Sequence, residues 1–373
     1  MDAPKELLTH HALKVDVRRE ADDTLLHHIE STVLGTPGHL RYRFTQSAEK
    51  MKTLTNSYFF ILSKADSILG SVGFCHREAW IGDRKEKVWY LRYFSIKAPM
   101  RSKPSEKRKK RSPDRGLSVL KRLALPYMNN PDMMEDPSAT VSGPTIIQGY
   151  IEKNNQRSVD FSESMGLERI GSFTTRVFSR LRPRMTAGFG RLAKKEEPEM
   201  RARLRRFYAG HCLYSENNLF YRDNYFVLRS DGRIVAGVQA NPDAWEIKAF
   251  GNPAGDFLVK VLPWIPLLRR IINPRHFRFL EFEGFYFEEG YESALPELLE
   301  SALAHNKLQL GMTWLDLRSP VLKVLEESGK LGRIDRLKGE FTADIRVKFV
   351  SIPAEVRERY FQCPVYISGF DMT

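Results

Sequence analysis

Two hydrophobic periods alternate along the chain. Residues 12–18 set Leu13, Val15 and Val17 against Lys14, Asp16 and Arg18, which predicts a strand with one buried face. Residues 21–34 change to helical spacing, with Leu25, Leu26, Ile29 and Val33 along one side, and residues 47–54 carry a shorter helical pattern. Two apolar runs of strand length, 58–64 and 68–76, are joined by the polar Ala65-Asp66-Ser67, which predicts a hairpin; residues 88–96 form the following strand. A helix over 116–128 then presents Leu117, Leu120, Leu123 and Ala124 on one face. Residues 129–143 are turn-rich and expected to be exposed, 144–151 a strand, 155–165 a helix and 168–180 a strand. Strands alternating with helices imply parallel pairing, so this stretch predicts a mixed α/β sheet flanked by helices.

The second half repeats the order. Residues 185–198 read as a linker and 199–211 as a basic helix. A hairpin follows over 224–229 and 233–239 around Ser230-Asp231-Gly232, with 245–250 as its next strand. Then come strand 277–287, helix 291–305, strand 308–315, helix 319–328 and strand 341–350, matching the order of 88–180. A length of 373 residues exceeds one typical core. The expected division is a first domain at 1–183, a basic linker at 184–200 and a second domain of the same type at 201–373.

The apolar stretch 257–272 is interrupted by Lys260, Pro263, Pro266, Arg269 and Arg270, too short for a membrane-spanning helix of ~20 residues. It could lie at a membrane surface or bind a partner; the expectation is a helix and turn on the second sheet, with Trp264 and Leu267 in the core. The N-terminal Met1-Asp2-Ala3-Pro4 has neither a basic nor an apolar leader pattern, and the expected location is cytoplasmic. Cys75, Cys212 and Cys363 are odd in number and far apart, which excludes a disulfide framework and a cysteine zinc site. Cys75 and His76 are adjacent on a strand and so point to opposite faces, unsuited to act as nucleophile and base.

Charge changes the picture more than composition does. Of the formal +13, residues 101–122 carry a net +8 and residues 180–206 a net +7, leaving the remainder slightly acidic. The positive charge is thus a property of two segments and not of the whole surface. Lys107-Arg108-Lys109-Lys110-Arg111 would attract phosphates, although no aromatic residue lies between Phe94 and Tyr127 to stack on bases.

A strand ending in Tyr90-Leu91-Arg92-Tyr93-Phe94-Ser95-Ile96, then a basic loop, then Arg115-Gly116 opening a helix, is the order in which backbone amides come to face a pyrophosphate. With Asn155-Gln156-Arg157-Ser158 and Met165-Gly166-Leu167 closing the unit, it resembles the GCN5-related N-acetyltransferase (GNAT) family. In that family, Arg/Gln-x-x-Gly-x-Gly/Ala amides bind acetyl-CoA. Here Ile96-Lys97-Ala98-Pro99-Met100-Arg101 resembles the strand exit. Arg111-Ser112-Pro113-Asp114-Arg115-Gly116 resembles the motif, with Asp114 where the first glycine belongs. The resemblance implies two tandem acyl-CoA N-acyltransferase domains. It also implies cofactor contacts from Phe94, Ser95, Ile96, Arg101, Lys103, Arg115, Gly116, Leu117, Ser118, Asn155 and Ser158. Many family members carry a tyrosine acid seven residues after that asparagine; this chain has Ser162.

The chemistry this implies is transfer of an acyl group from acetyl-CoA to an amine, with no metal. An amide near Phe94 to Ile96 would polarise the thioester carbonyl. Tyr150 or Tyr93 would serve the departing thiolate, and Glu78 would take a proton from the amine directly or through water. In the second copy, Glu288-Glu289-Gly290-Tyr291-Glu292 stands where the phosphate loop should be, and three carboxylates around one glycine would repel CoA. That copy is expected to be degenerate, supporting the first or shaping its acceptor cleft. The rival reading is a non-catalytic adaptor of the same fold whose basic loop binds nucleic acid or a protein. The acceptor and the oligomeric state carry no local signature.

Overall fold

The computed structural model describes residues 5–10, 13–54, 56–65, 67–96, 115–251, 253–261, 264, 273–337 and 341–372. In chain order the first half contains β1 (Lys5–His10), β2 (Leu13–Arg18), α1 (Asp23–Ser31), β3 (Arg41–Phe44), α2 (Ser47–Met51), β4 (Ser57–Lys64), β5 (Ser67–Ile81), β6 (Arg84–Ile96), α3 (Arg115–Asn129), β7 (Thr145–Glu152), α4 (Gln156–Ser164) and β8 (Glu168–Ser179). The second half contains β9 (Phe189–Arg191), α5 (Glu197–Phe207), β10 (Cys212–Tyr214), β11 (Tyr225–Ser230), β12 (Arg233–Ala249), α6 (Pro253–Val261), β13 (Phe277–Phe287), α7 (Ala294–His305), β14 (Leu310–Asp316), α8 (Pro320–Glu327), α9 (Arg333–Leu337), β15 (Thr342–Val350) and α10 (Ala354–Gln362).

The described strands form one mixed sheet in the order β1-β2-β4-β5-β6-β7-β15-β8-β14-β13-β12-β11-β9, with β10 added to β5 and β3 to β12. Central strands read as continuous apolar runs because helices cover both faces. On β4, Tyr58 and Phe60 pack beneath α3 with Tyr127 and Met128, whereas Phe59 and Ile61 pack with Leu25 and Ile29 of α1 and Met51 of α2. The period of two sorts a single run into two cores.

The halves exchange strands. β15, from the far end of the chain, lies between β7 and β8 and is antiparallel to both, while β8 pairs with β14 along residues 173–179. Each half therefore supplies a strand to the other's side of the sheet. At the seam a core of Val88, Ile146, Phe279, Trp314, Ile345 and Val347 joins them.

Several expectations are corrected. Residues 233–249 form one long strand, β12, so the segment from Trp245 is its continuation and not a separate strand. The turn-rich stretch 129–143 is partly inside: Pro131, Asp132 and Met134 are buried, and the Asp132 carboxylate takes Lys87 and the Ser142 amide. A polar turn can be buried here because its charge is paired. Trp264 is 76% exposed under the Arg275 guanidinium and does not join the core; Leu267 lies outside the described residues. No described helix is long and apolar enough to cross a membrane.

Candidate active site

The parallel pair β6/β7 holds register from Lys87/Thr145 to Tyr90/Gln148 and then stops, although β6 continues to Ile96 and β7 to Glu152. Beyond Tyr90 the two strands splay. Within the splay β6 carries a bulge: Ser95 faces Ser71 and Arg92 faces Gly73, so Tyr93 and Phe94 together oppose Val72. Tyr93 takes φ +54°, a left-handed conformation costly for a side chain of its size. The Ser71 hydroxyl donates to the Tyr93 carbonyl at 3.1 Å, and Ser95 Oγ lies 2.6 Å from His28 Nε2 and 3.2 Å from Ser71 Oγ. These bonds brace the kink from the α1 side. Phe94, 44% exposed, stacks on Phe161 of α4 at 5.6 Å, so an aromatic pair spans the mouth of the splay.

The second half repeats the device and fills it. β13 and β14 pair in parallel only at Leu280/Gly311 and Glu281/Met312, and β13 is kinked at Gly284, φ +59°. Val365, Tyr366 and Ile367 occupy the space between the diverging strands, leaving a cavity with room for about one water, which His211 lines. Burial lowers the His211 pKa to about 4, so the ring is neutral. Ahead of α7 the Gly290 amide donates to the Glu292 carboxylate at 3.2 Å. A carboxylate thus sits on the backbone amide that a phosphate loop would present.

No protein-family model matches the chain, and no curated protein sequence matches it. Among solved structures, N-myristoyltransferase of Saccharomyces cerevisiae with bound myristoyl-CoA and inhibitors superposes with a TM-score of 0.58 at 9% identity, covering 94% of this chain and 83% of that one. A second structure of that enzyme with bound myristoyl-CoA gives 0.56 at 9% identity, with 94% and 86% covered. A GCN5-related N-acetyltransferase from Anabaena variabilis gives 0.46 at 8% identity, with 89% and 72% covered. The chain has a tandem GNAT fold.

On this GNAT fold the sequence-predicted residues separate. Phe94 and Ser95 lie in the splay, and Ile96 ends its strand. Arg101 and Lys103 lie outside the described residues, as does the run Lys107–Arg111. Arg115, Gly116, Leu117 and Ser118 form the first turn of α3, whose side chains there also lie outside the described residues. Asn155 is the N-cap of α4, its carboxamide oxygen accepting from the Ser158 amide at 3.3 Å, and Gly166 at φ +84° follows the helix end. Both Asn155 and Ser158 therefore have a structural task at the mouth. Ser162 is buried and donates to its own helix at Val159 O. Tyr93 is turned into the core beneath α1 and α2, its ring under the Arg92 guanidinium at 4.5 Å. Glu78 is exposed and paired with Lys85. It stands six residues along β5 from Val72, roughly 20 Å at the strand rise, and the structure does not bring it to the splay.

Tyr150 is the tyrosine held in the splay by polar side chains. It stands two residues past Gln148, its ring 5.3 Å from Tyr90, and Gln148 Nε2 donates to its hydroxyl at 2.8 Å. Burial raises its phenol above the ordinary value, with Arg77 opposing. Arg77 is buried, donates to Gln148 Oε1 at 3.3 Å and forms an ion pair with Asp371. Burial alone would lower the Arg77 guanidinium, but Asp371 more than offsets it. Neither Arg77, Gln148 nor Asp371 was singled out from sequence. The available signal was a charge set within an apolar strand, as Arg77 is in β5.

Proposed function

We propose that the chain transfers an acyl group from a CoA thioester to an amine at the β6/β7 splay, with acetyl-CoA as the donor to test first. The observation that carries this reading is the end of β6/β7 pairing at Tyr90/Gln148 beside the Tyr93–Phe94 bulge. Past that point β6 has no ladder partner on the β7 side among the described residues, so its amides there can meet a thioester oxygen. The likeness to an N-myristoyltransferase that binds myristoyl-CoA supports a CoA thioester as co-substrate. The N-terminus of α3, opening on Arg115 and Gly116, is where the pyrophosphate would rest.

In the reaction the amine nitrogen forms a bond to the thioester carbon and loses a proton to solvent. The tetrahedral oxyanion is held by the β6 amides, and the carbon–sulfur bond breaks to release CoA thiolate. Tyr150 faces that thiolate as a neutral phenol. A thiol ionises near ~8.5 and a phenol near ~10, and burial raises this one further. Full proton transfer to sulfur would therefore run uphill. Tyr150 instead donates a hydrogen bond to the leaving sulfur, which takes its proton from water.

Isothermal titration with acetyl-CoA at physiological salt tests the reading. Micromolar binding is expected, with loss of at least ~10-fold in an Arg115→Ala/Gly116→Asp double variant that retains the parent's thermal unfolding. Absence of binding to the parent would overturn the enzyme reading, and full binding by the double variant would overturn the phosphate site at α3.

A further inference from the structure

The hydrogen bonds around Tyr150 fix more than its position. A guanidinium has only donors, so Arg77 must face the oxygen of the Gln148 carboxamide, as its 3.3 Å contact with Oε1 shows. That orientation leaves the Gln148 amino group toward Tyr150, to which it donates at 2.8 Å. The phenol oxygen is therefore an acceptor, with Arg77 as a second donor beside it. Its own proton has no acceptor among the described residues. Arg77 is in turn held by Asp371, which comes from the end of the described chain and lies beneath the first-half splay.

We propose that Gln148 is a positioning residue, oriented by Arg77 and Asp371, that occupies the Tyr150 oxygen as an acceptor and so commits the single phenol proton to the leaving sulfur. This rests on the acyl-transfer reading and deepens it. The donor to the sulfur is set by a relay of three side chains, one of which, Asp371, is contributed by the second half. A hydroxyl free to rotate would spend part of its time donating back into the protein; this one has nothing in the network to donate to. The whole relay is buried apart from the half-buried Tyr150, so water does not compete for its inner bonds.

Gln148→Glu tests the direction directly. The carboxylate keeps the shape and still accepts from Arg77, but now it also accepts from Tyr150, which reverses that hydrogen bond. The expected result is a kcat lowered ~30-fold or more with KM for the thioester within about threefold of the parent. Tyr150→Phe should lower kcat similarly, and the double variant should be no slower than Tyr150→Phe alone. A second readout needs no activity. The Raman Fermi doublet of Tyr150, isolated by subtracting the Tyr150→Phe spectrum, should report an acceptor phenol in the parent and a donor phenol in Gln148→Glu. A doublet unchanged between the two, or losses in kcat that multiply in the double variant, would overturn the proposal. Failure of the parent to bind acetyl-CoA would overturn the acyl-transfer reading while leaving the doublet to judge the hydrogen-bond direction.

Discussion

At the scale of single residues, the least expected feature is charge buried in the middle of the sheet. Lys50 lies 2.5 Å from Asp243 and 3.1 Å from Glu281, and Arg92 lies 3.9 Å from Asp371, itself paired with Arg77. Burial alone would lower the Lys50 ammonium, but Glu281 and Asp243 hold it raised. Glu283 joins this group, accepting from Ser368 Oγ at 2.7 Å, the Gly369 amide at 2.9 Å and Gln239 Nε2 at 2.9 Å. Lys50, Arg77 and Arg92 then balance Asp243, Glu281 and Asp371, leaving Glu283 as an uncompensated fourth carboxyl. Burial first, and Glu281 next, raise its pKa to about 8. In the unfolded chain it would ionise near ~4.3. Between those values the folded state keeps a proton that the unfolded state has released, so stability falls as pH rises through that window and is unaffected below it. Glu283→Gln should flatten the fall. Thermal unfolding at pH 5, 7 and 9 should show the parent losing more than the variant, with the gap widest at pH 9; parallel curves would refute the assignment. Glu281 and Glu283 are visible in sequence as charges two apart in an apolar strand. Their partners were not, because Lys50, Asp243 and Asp371 come from three distant elements.

At the scale of elements, local pattern located most strands and helices to within a few residues: 277–287 and 341–350 against β13 and β15 are examples. What pattern missed was short or long for a physical reason. β3, of four residues, and β9, of three, lack length to show a period. β5 and β6 run on past the expected 68–76 and 88–96 to meet at Gly82-Asp83, where the charges of Glu78, Arg84, Lys85 and Lys87 dilute the alternation although Ala79 and Ile81 still enter the core. The splays were not legible at all, since the end of a ladder is a fact about two strands and not about either sequence. The second-half splay makes a test of element packing. An added Cβ at Gly311, at the first of the two paired steps of β13 and β14, would come 2.0 Å from the buried Phe282 ring, whereas one at Gly190 would meet nothing within 4 Å. Gly311→Ala should cost about 3 kcal/mol by overpacking and Gly190→Ala close to nothing, as read by urea unfolding. Adding Phe282→Leu should recover part of the Gly311→Ala loss. A Gly311→Ala protein as stable as the parent would show that the sheet can open there.

For the whole molecule, the repeat of strand and helix order announced two copies, and the sheet shows why neither is complete. β15 pairs with β7 from Ala343/Glu152 to Val350/Thr145 and on its other side with β8. Its alternation of Ile345 and Val347 with Asp344 and Arg346 was readable as a strand. Its place was not, because both neighbours belong to the other half and nothing local names them. Without β15, residues 1–183 would leave β7 and β8 with unpaired edges facing each other and Ile146 without its cover. Without β8, residues 184–373 would leave β14 as a bare edge and β15 without support. We therefore expect the full chain to unfold in one calorimetric transition whose van't Hoff and calorimetric enthalpies agree. Fragments 1–183 and 184–373 should each lack cooperative unfolding alone and regain it when mixed at equal concentration. A sigmoidal transition from fragment 1–183 by itself would refute this. Asp371 also reaches Arg77 across the same seam, so reassembly and the Tyr150 hydrogen-bond direction should return together.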